Sequence, residues 1–308
     1  MLLFLFGLTC LTGCKGDTDR LERYRDHFEE SKSVYLGTEE LGMAQDLAVI
    51  TEGDTEVSAQ VKAALTINEE REEVLLSYHA FDKMYPASIT KVMTALLTME
   101  EADFEDEVTL DHDITFNEGN VVRSALKNGD TTTVEGLFNA LLVASDNDCA
   151  VILAEHIAGS VEAFTAKMNQ RAKELGATHT HFVNSNGLHD ENHYTTAYDL
   201  YLIFREAMKD DHFVASVSQK DYTLEYRNAQ GYGMEEYMVS TNAYFNNTYA
   251  IPTGIELVGG KTGTTSVAKS CLILCTKNKQ DEVNISVVLG ADTKSTLYHT
   301  MSDLITME

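Results

Sequence analysis

The apolar residues of this chain change period twice. Ala59–Ile67 and Val74–Tyr78, joined by the polar run 68–73, read as two strands with a tight connection. From Thr132 to Met208 the spacing becomes helical. Thr132-x-x-Glu135 has the form of a capping box ahead of Val134, Leu137, Phe138, Leu141 and Leu142. Asp148 is placed to cap a helix through Val151, Ile152 and Ile157, and Ser160 one through Phe164, Met168 and Leu175 that Gly176 closes. Thr195–Met208 carries Leu200, Ile203 and Phe204 at helical spacing. Alternation then returns in Tyr222–Tyr226, and Ser270–Cys275 and Val283–Leu289 read as two further strands joined by the polar run 276–282. Thr293–Ile305 reads as a closing helix over the sheet. Strands at both ends with helices between them exclude an all-helical bundle and a pure sandwich. They predict an α/β chain of the α+β kind, an antiparallel sheet flanked by helices with a helical subdomain beside it.

With 308 residues the chain has room for one large domain, and residues 57–308 are read as that domain. Its 49 Asp and Glu against 23 Lys and Arg leave a formal charge of -26, which disfavours nucleic acid as an electrostatic partner. Residues 15–56 are acidic and charge-mixed and read as a spacer. The apolar run in residues 1–14 is shorter than the about 20 residues that span a bilayer. It reads as an export signal, with no Lys or Arg ahead of it. Leu11-Thr-Gly-Cys14 resembles the lipobox of bacterial lipoproteins, which implies that Cys14 is diacylated and anchors the protein to the outer face of the cell membrane. Cys10 leaves with the signal, so Cys149, Cys271 and Cys275 remain, an odd number that argues against a disulfide framework. Cys271 and Cys275 fall on one strand about 13 Å apart at about 3.3 Å per residue, beyond disulfide reach.

Pro86-Ala87-Ser88-Ile89-Thr90-Lys91 sets a serine and a lysine three residues apart, directly ahead of the apolar Val92–Met99. On a helix the two share a face, so a neutral lysine amine can take the serine proton, and the helix N-terminus adds positive potential there. Ser-x-x-Lys occurs often by chance, and two further stretches give it meaning. Ser145-Asp146-Asn147 stands where one helix ends and another begins. Lys261-Thr262-Gly263-Thr264, after Gly259-Gly260, stands at the beginning of a strand whose backbone can lie along a substrate. Alone, Ser145 and Asn147 read as capping residues and Lys261 as a turn lysine. Together, in this order, the three stretches form the known signature of penicillin-binding proteins and class A β-lactamases.

From about Ala59 to the C-terminus the chain resembles the low-molecular-mass D-alanyl-D-alanine carboxypeptidases, serine peptidases of the penicillin-binding class. The resemblance runs through Tyr85–Thr94, Ala144–Ala150, Ala154–Ser160, Met168–Gly176, His181–Asp190 and Gly259–Thr265. It implies a β-lactamase/transpeptidase-like fold, with the active site between the helical subdomain and the sheet and no cofactor. It also implies that Ser88 attacks the carbonyl between the two terminal D-alanines of a peptidoglycan stem peptide, releasing D-alanine and leaving an acyl-enzyme for water to hydrolyse. By the same resemblance Lys91 is the base, Ser145 relays a proton to the leaving amine, and Asn147 holds the substrate amide and Lys91. The Ser88 and Thr264 backbone N–H groups form the oxyanion hole. Lys261, Thr262, Gly263 and Thr264 bind the substrate, with the terminal carboxylate on Lys261 and the two threonine hydroxyls. β-Lactams are then expected as covalent inhibitors. The family's C-terminal β-rich domain and terminal amphipathic helix are not seen after the strand ending at Ala291, which leaves Cys14 as the expected anchor.

Two rival readings share these residues. A serine β-lactamase adds a Glu-x-x-Leu-Asn loop for the deacylating water, and none occurs between Asn147 and Lys261. A sensor would bind peptidoglycan or β-lactam without turnover. The histidines of His179-Thr-His181 and His189-Asp-Glu-Asn-His193 invite a metal reading. Asp190 stands where a metalloprotease helix needs glutamate, and Asn186-Gly187 marks a loop, so no metal site is expected and the loop is read as bordering the cleft.

Overall fold

The computed structural model describes residue 57 and residues 60–119 and 121–307; the export-signal run, Cys14 and the acidic spacer lie outside the described residues. Strands β1 (Ala63–Asn68) and β2 (Glu73–Tyr78) form a hairpin. A 3-10 turn over Ala87–Thr90 leads into helix α1 (Lys91–Glu101). Short strands β3 (Glu107–Thr109) and β4 (Thr131–Thr133) bracket a long loop. Helices α2 (Val134–Val143), α3 (Asn147–Ala158), α4 (Val161–Glu174), α5 (Ala197–Ala207) and α6 (Asp211–Val217) follow. After the hairpin β5 (Asp221–Arg227) and β6 (Gly233–Val239) come β7 (Glu256–Thr265), β8 (Lys269–Lys277), β9 (Val283–Ala291) and helix α7 (Lys294–Leu304).

β9 pairs with β1, so the two ends of the described chain share one antiparallel sheet of five strands in the order β2-β1-β9-β8-β7. Its central strands are apolar on both faces because both faces are covered. Leu65, Ile67, Cys271, Ile273, Ile285 and Val287 pack toward the helical subdomain, whereas Ala64, Leu272, Leu274 and Val288 meet Leu297, Tyr298 and Met301 of α7. Cys271 and Cys275 thus lie buried on one face as free thiols, as does Cys149 within α3. Helix α1 is buried from Lys91 to Thr98, which its apolar sequence requires. It runs through the middle of the helical subdomain with the Ser88 turn at its head. A second sheet, β3-β4-β5-β6, covers the far side of α2.

Local details depart from the sequence reading. Thr132 belongs to β4 and its hydroxyl donates to the Glu225 carbonyl, so strand pairing captures it; Thr133 caps α2, accepting from Gly136 N at 3.0 Å. Asp146, and not Asp148, caps α3, through Cys149 N at 2.8 Å. Asp148 sits in the first turn and pairs with Arg123. The Lys261 motif lies within the second half of β7, which already begins at Glu256. Strands β3, β4 and β6 and helix α6 were not foreseen; β3 and β4 are three residues each, and β6 is exposed along most of its length, so no buried face writes a pattern into it.

Candidate active site

Lys91 is the first residue of α1, and Ser88 faces it from the preceding turn, with Nζ 3.1 Å from Ser88 Oγ. The lysine side chain is wholly buried. Its Nζ also lies 2.9 Å from Asn147 Oδ1 and 2.6 Å from the Asn186 carbonyl oxygen. A neutral amine has two N–H donors and one lone pair, and the two carbonyl oxygens can only accept. They therefore take both N–H groups, and the lone pair is left for the Ser88 hydroxyl. Burial pushes the Lys91 pKa down to about 7, against the opposing pull of Asp146 and Cys149. A group there is substantially neutral at physiological pH.

Asn147 opens α3. Its Nδ2 donates to the Val122 carbonyl at 2.8 Å, and the same oxygen accepts its backbone N–H at 3.1 Å. Since Val122 O only accepts, the amide is oriented with Oδ1 toward Lys91. Arg123, next along this strap, donates to both carboxylate oxygens of the buried Asp148 and to the Ile114 carbonyl. Between the motif's two polar residues, Asp146 is fully buried, and burial raises its pKa to about 7.

Ala87 at φ 48 and Ser145 at φ 64 occupy the left-handed region although neither is glycine, so backbone strain of about 1–3 kcal/mol each is concentrated beside the nucleophile. Ser145 Oγ accepts from Lys261 Nζ at 2.8 Å, and the Thr262 carbonyl accepts from the same nitrogen at 3.0 Å. The Lys261 pKa is pushed well below its ordinary value, by burial first and the Lys91 cation second. Lys91 itself owes its lowering to burial.

Strand β7 is the edge of the five-stranded sheet and packs on the nucleophile turn. A Cβ on Gly263 would lie 2.9 Å from Pro86 O and 3.0 Å from Ser88 N, so only glycine lets the strand approach this closely. A cavity of about 170 Å³ opens beside the contact, lined by Ser88, Ser145, Thr262, Thr264 and Lys294 among others. Two larger hollows, of about 450 and 910 Å³, lie on the β3 and β4–β6 side and contain no serine paired with a buried lysine. The smaller cavity is the one with chemistry in it.

The structure thus gathers every motif residue singled out in the sequence: Ser88, Lys91, Ser145, Asn147 and the Lys261–Thr264 strand. It adds Asn186, Val122, Thr241 and Lys294. Asn186 and Val122 act through backbone carbonyls. Thr241 Oγ1 lies 2.5 Å from Thr262 Oγ1 and so engages one of the hydroxyls expected to hold a carboxylate. Lys294 is an exposed cation at the head of α7.

The sequence profile of the D-alanyl-D-alanine carboxypeptidases, peptidase family S11, matches residues 48–293. The chain belongs to this family. It is 34% identical over 245 residues to D-alanyl-D-alanine carboxypeptidase DacF of Bacillus subtilis, covering 78% of this chain and 59% of the relative. To the D-alanyl-D-alanine endopeptidase of Escherichia coli it is 29% identical over 275 residues, covering 86% of this chain and 81% of the relative. Among solved structures it is similar to the Streptomyces K15 DD-transpeptidase, with a TM-score of 0.74 at 25% identity, over 82% of this chain and 98% of that one. The S11 chain therefore has the β-lactamase/transpeptidase-like fold, as its sequence resemblance implied. It spans about three fifths of the length of several curated relatives, 59% of DacF and 61% of Escherichia coli DacC.

Proposed function

We propose that this S11 chain is a serine D-Ala-D-Ala carboxypeptidase that removes the terminal D-alanine of peptidoglycan stem peptides, and that β-lactams inhibit it by acylating the same serine. The observation that carries this reading is Lys91, wholly buried, with both N–H groups committed to carbonyl oxygens and Ser88 Oγ 3.1 Å from its nitrogen. The Ser88 oxygen attacks the peptide carbonyl as its proton passes to Lys91. The oxyanion that forms is stabilised by the Ser88 and Thr264 backbone N–H groups. Ser145 relays to the leaving amine the proton that Lys91 took up, which returns Lys91 to its neutral form; D-alanine departs, and an ester to Ser88 remains. Water then loses a proton to Lys91 and attacks the ester, and Ser88 leaves with a proton restored to its oxygen. Lys261 is the cation for the terminal carboxylate, with the Thr262 and Thr264 hydroxyls and the close Gly263 backbone completing the subsite.

The same reading places residues 57–308 as the catalytic domain outside the cell membrane, residues 15–56 as a spacer and lipidated Cys14 as the anchor. A Cys14→Ala chain is expected in the soluble fraction of cells whose wild-type protein sediments with membranes. The catalytic test is incubation with a stem pentapeptide ending in D-Ala-D-Ala, with assay of free D-alanine and mass mapping of a penicillin adduct. Release of D-alanine and a stable adduct on Ser88 are expected, both lost in Ser88→Ala. An adduct without D-alanine release would make the protein a sensor, and rapid penicillin turnover without an adduct would make it a β-lactamase.

A further inference from the structure

The histidine-bearing loop that follows α4 packs beneath the nucleophile turn, and one of its side chains makes a contact that the proposed chemistry does not use. His193 is 2% exposed. Its Nδ1 receives the backbone N–H of Val183 at 3.1 Å, and its Nε2 lies 2.7 Å from Thr90 Oγ1. A backbone N–H can only donate, so Nδ1 is unprotonated, the ring proton is on Nε2, and Nε2–H donates to the Thr90 hydroxyl. Burial above all, with His181, His189 and the Lys91 cation added and Asp190 opposing, lowers the His193 pKa to about 3. The ring is a constant neutral donor at working pH.

Thr90 is the last residue of the Ser88 turn and directly precedes Lys91. The same loop meets this segment at three more points. Asn186 O accepts from Lys91 Nζ at 2.6 Å, Ser185 O accepts from Thr94 Oγ1 at 2.6 Å, and a Cβ on Gly187 would lie 1.9 Å from Ala87 O. On the loop side these three contacts are made by backbone. The His193–Thr90 bond joins two side chains, and it ties the turn that carries Ser88 to the loop whose carbonyl aims Lys91.

We propose that His193 is a positioning residue: through Thr90 it locks the nucleophile turn onto the 183–193 loop and so sets the alignment of Lys91 with Ser88. The proposal rests on the serine-acylation reading of the site and adds a second tier beneath it. If the lock is cut, the turn shifts against the loop, Lys91 loses its fixed acceptor at Asn186, and water reaches the amine. Four ionisable groups face Lys91, namely Asp146 and Cys149 from the start of α3, Lys261 from β7 and His193 itself. The first three do not change in this experiment and His193 is neutral from pH 5 to pH 9, so a moved titration reports the lost enclosure.

The test uses the geometry of amide side chains. In His193→Asn the amide takes the Nδ1 place, where it accepts from Val183 but falls short of Thr90; in His193→Gln it extends to the Nε2 place and donates to Thr90. Penicillin acylation rates and D-alanine release are measured from pH 5 to pH 9, with folding followed by near-ultraviolet dichroism. For His193→Asn a loss of about 10- to 100-fold in acylation rate is expected, with KM little changed. The acidic limb moves up by about one pH unit. His193→Gln recovers most of the rate, and Thr90→Val, which removes only the acceptor, reproduces the Asn phenotype. Thr90→Val carries the test if a His193 variant fails to fold. An unmoved limb in folded Thr90→Val, or Asn and Gln variants impaired alike, overturns the proposal. Penicillin acylation reads the lock even if the wild type releases no D-alanine, so failure here and failure of the carboxypeptidase reading are separate outcomes.

Discussion

Lys91 at the head of α1 and Lys261 on the edge strand β7 are 0% and 1% exposed, and the two walls of the cleft use them differently. Lys91 is enclosed by the Ser88 turn, the start of α3 and the 183–193 loop, and its contacts use both N–H groups and the lone pair of a neutral amine. It has nothing left to offer a substrate. Lys261 donates to Ser145 Oγ and to the carbonyl of Thr262, its neighbour on the strand, and as an ammonium it retains a third N–H. Burial depresses both amines, but an arriving carboxylate favours the charged form of Lys261 and so opposes the lowering. In the proposed function the same residue type serves as a base where every other contact is taken, and as an anion receptor where one is left open.

The largest effects should separate these roles. Lys91→Ala is expected to lose about 10³-fold or more in acylation by peptide and by penicillin, whatever the peptide terminus. Lys261→Ala should lose about 10²-fold on peptides ending in carboxylate and much less on the corresponding C-terminal amides, measured as kcat/KM. Equal losses on acid and amide would erase the distinction.

The pH profile sharpens it. Lys91 acts only when neutral, so kcat/KM should fall below an acidic limb near pH 7, the value set by its burial. Lys261→Ala should leave the limb in place. Asp146→Asn removes an anion that raises the Lys91 pKa while keeping a residue able to cap α3, so the limb should move to lower pH. A limb that moves upward would reverse the sign of this electrostatic account. A smaller effect is expected from Lys294→Ala, whose cation is exposed: KM for carboxylate substrates about threefold higher, with kcat retained. At the far end of α2, away from both lysines, Thr133→Ala should cost about 1 kcal/mol in denaturant unfolding and leave kcat/KM unchanged.

Much of this arrangement is legible from residue order. Ser160 caps α4 as its sequence indicates, with its Oγ accepting from Ala163 N, because a cap depends on residues three apart. β8 and β9 show as apolar runs because both sheet faces are covered. The three motifs announce the site because the chemistry needs those side chains. The capping of α2 was misread by one residue because Thr132 and Thr133 are alike locally, and only the pairing of Thr132 with distant Glu225 distinguishes them.

What the amino-acid order determined by itself is therefore the set of candidate reacting groups, the helical block and the two-faced sheet, each encoded in local spacing. The tertiary structure alone decided how the two lysines differ. The groups that enclose Lys91 include the backbone carbonyl of Asn186, and Asn147 is oriented by that of Val122. Carbonyls are the same at every residue and leave no trace in a sequence, and desolvation belongs to the assembled packing and not to any one segment.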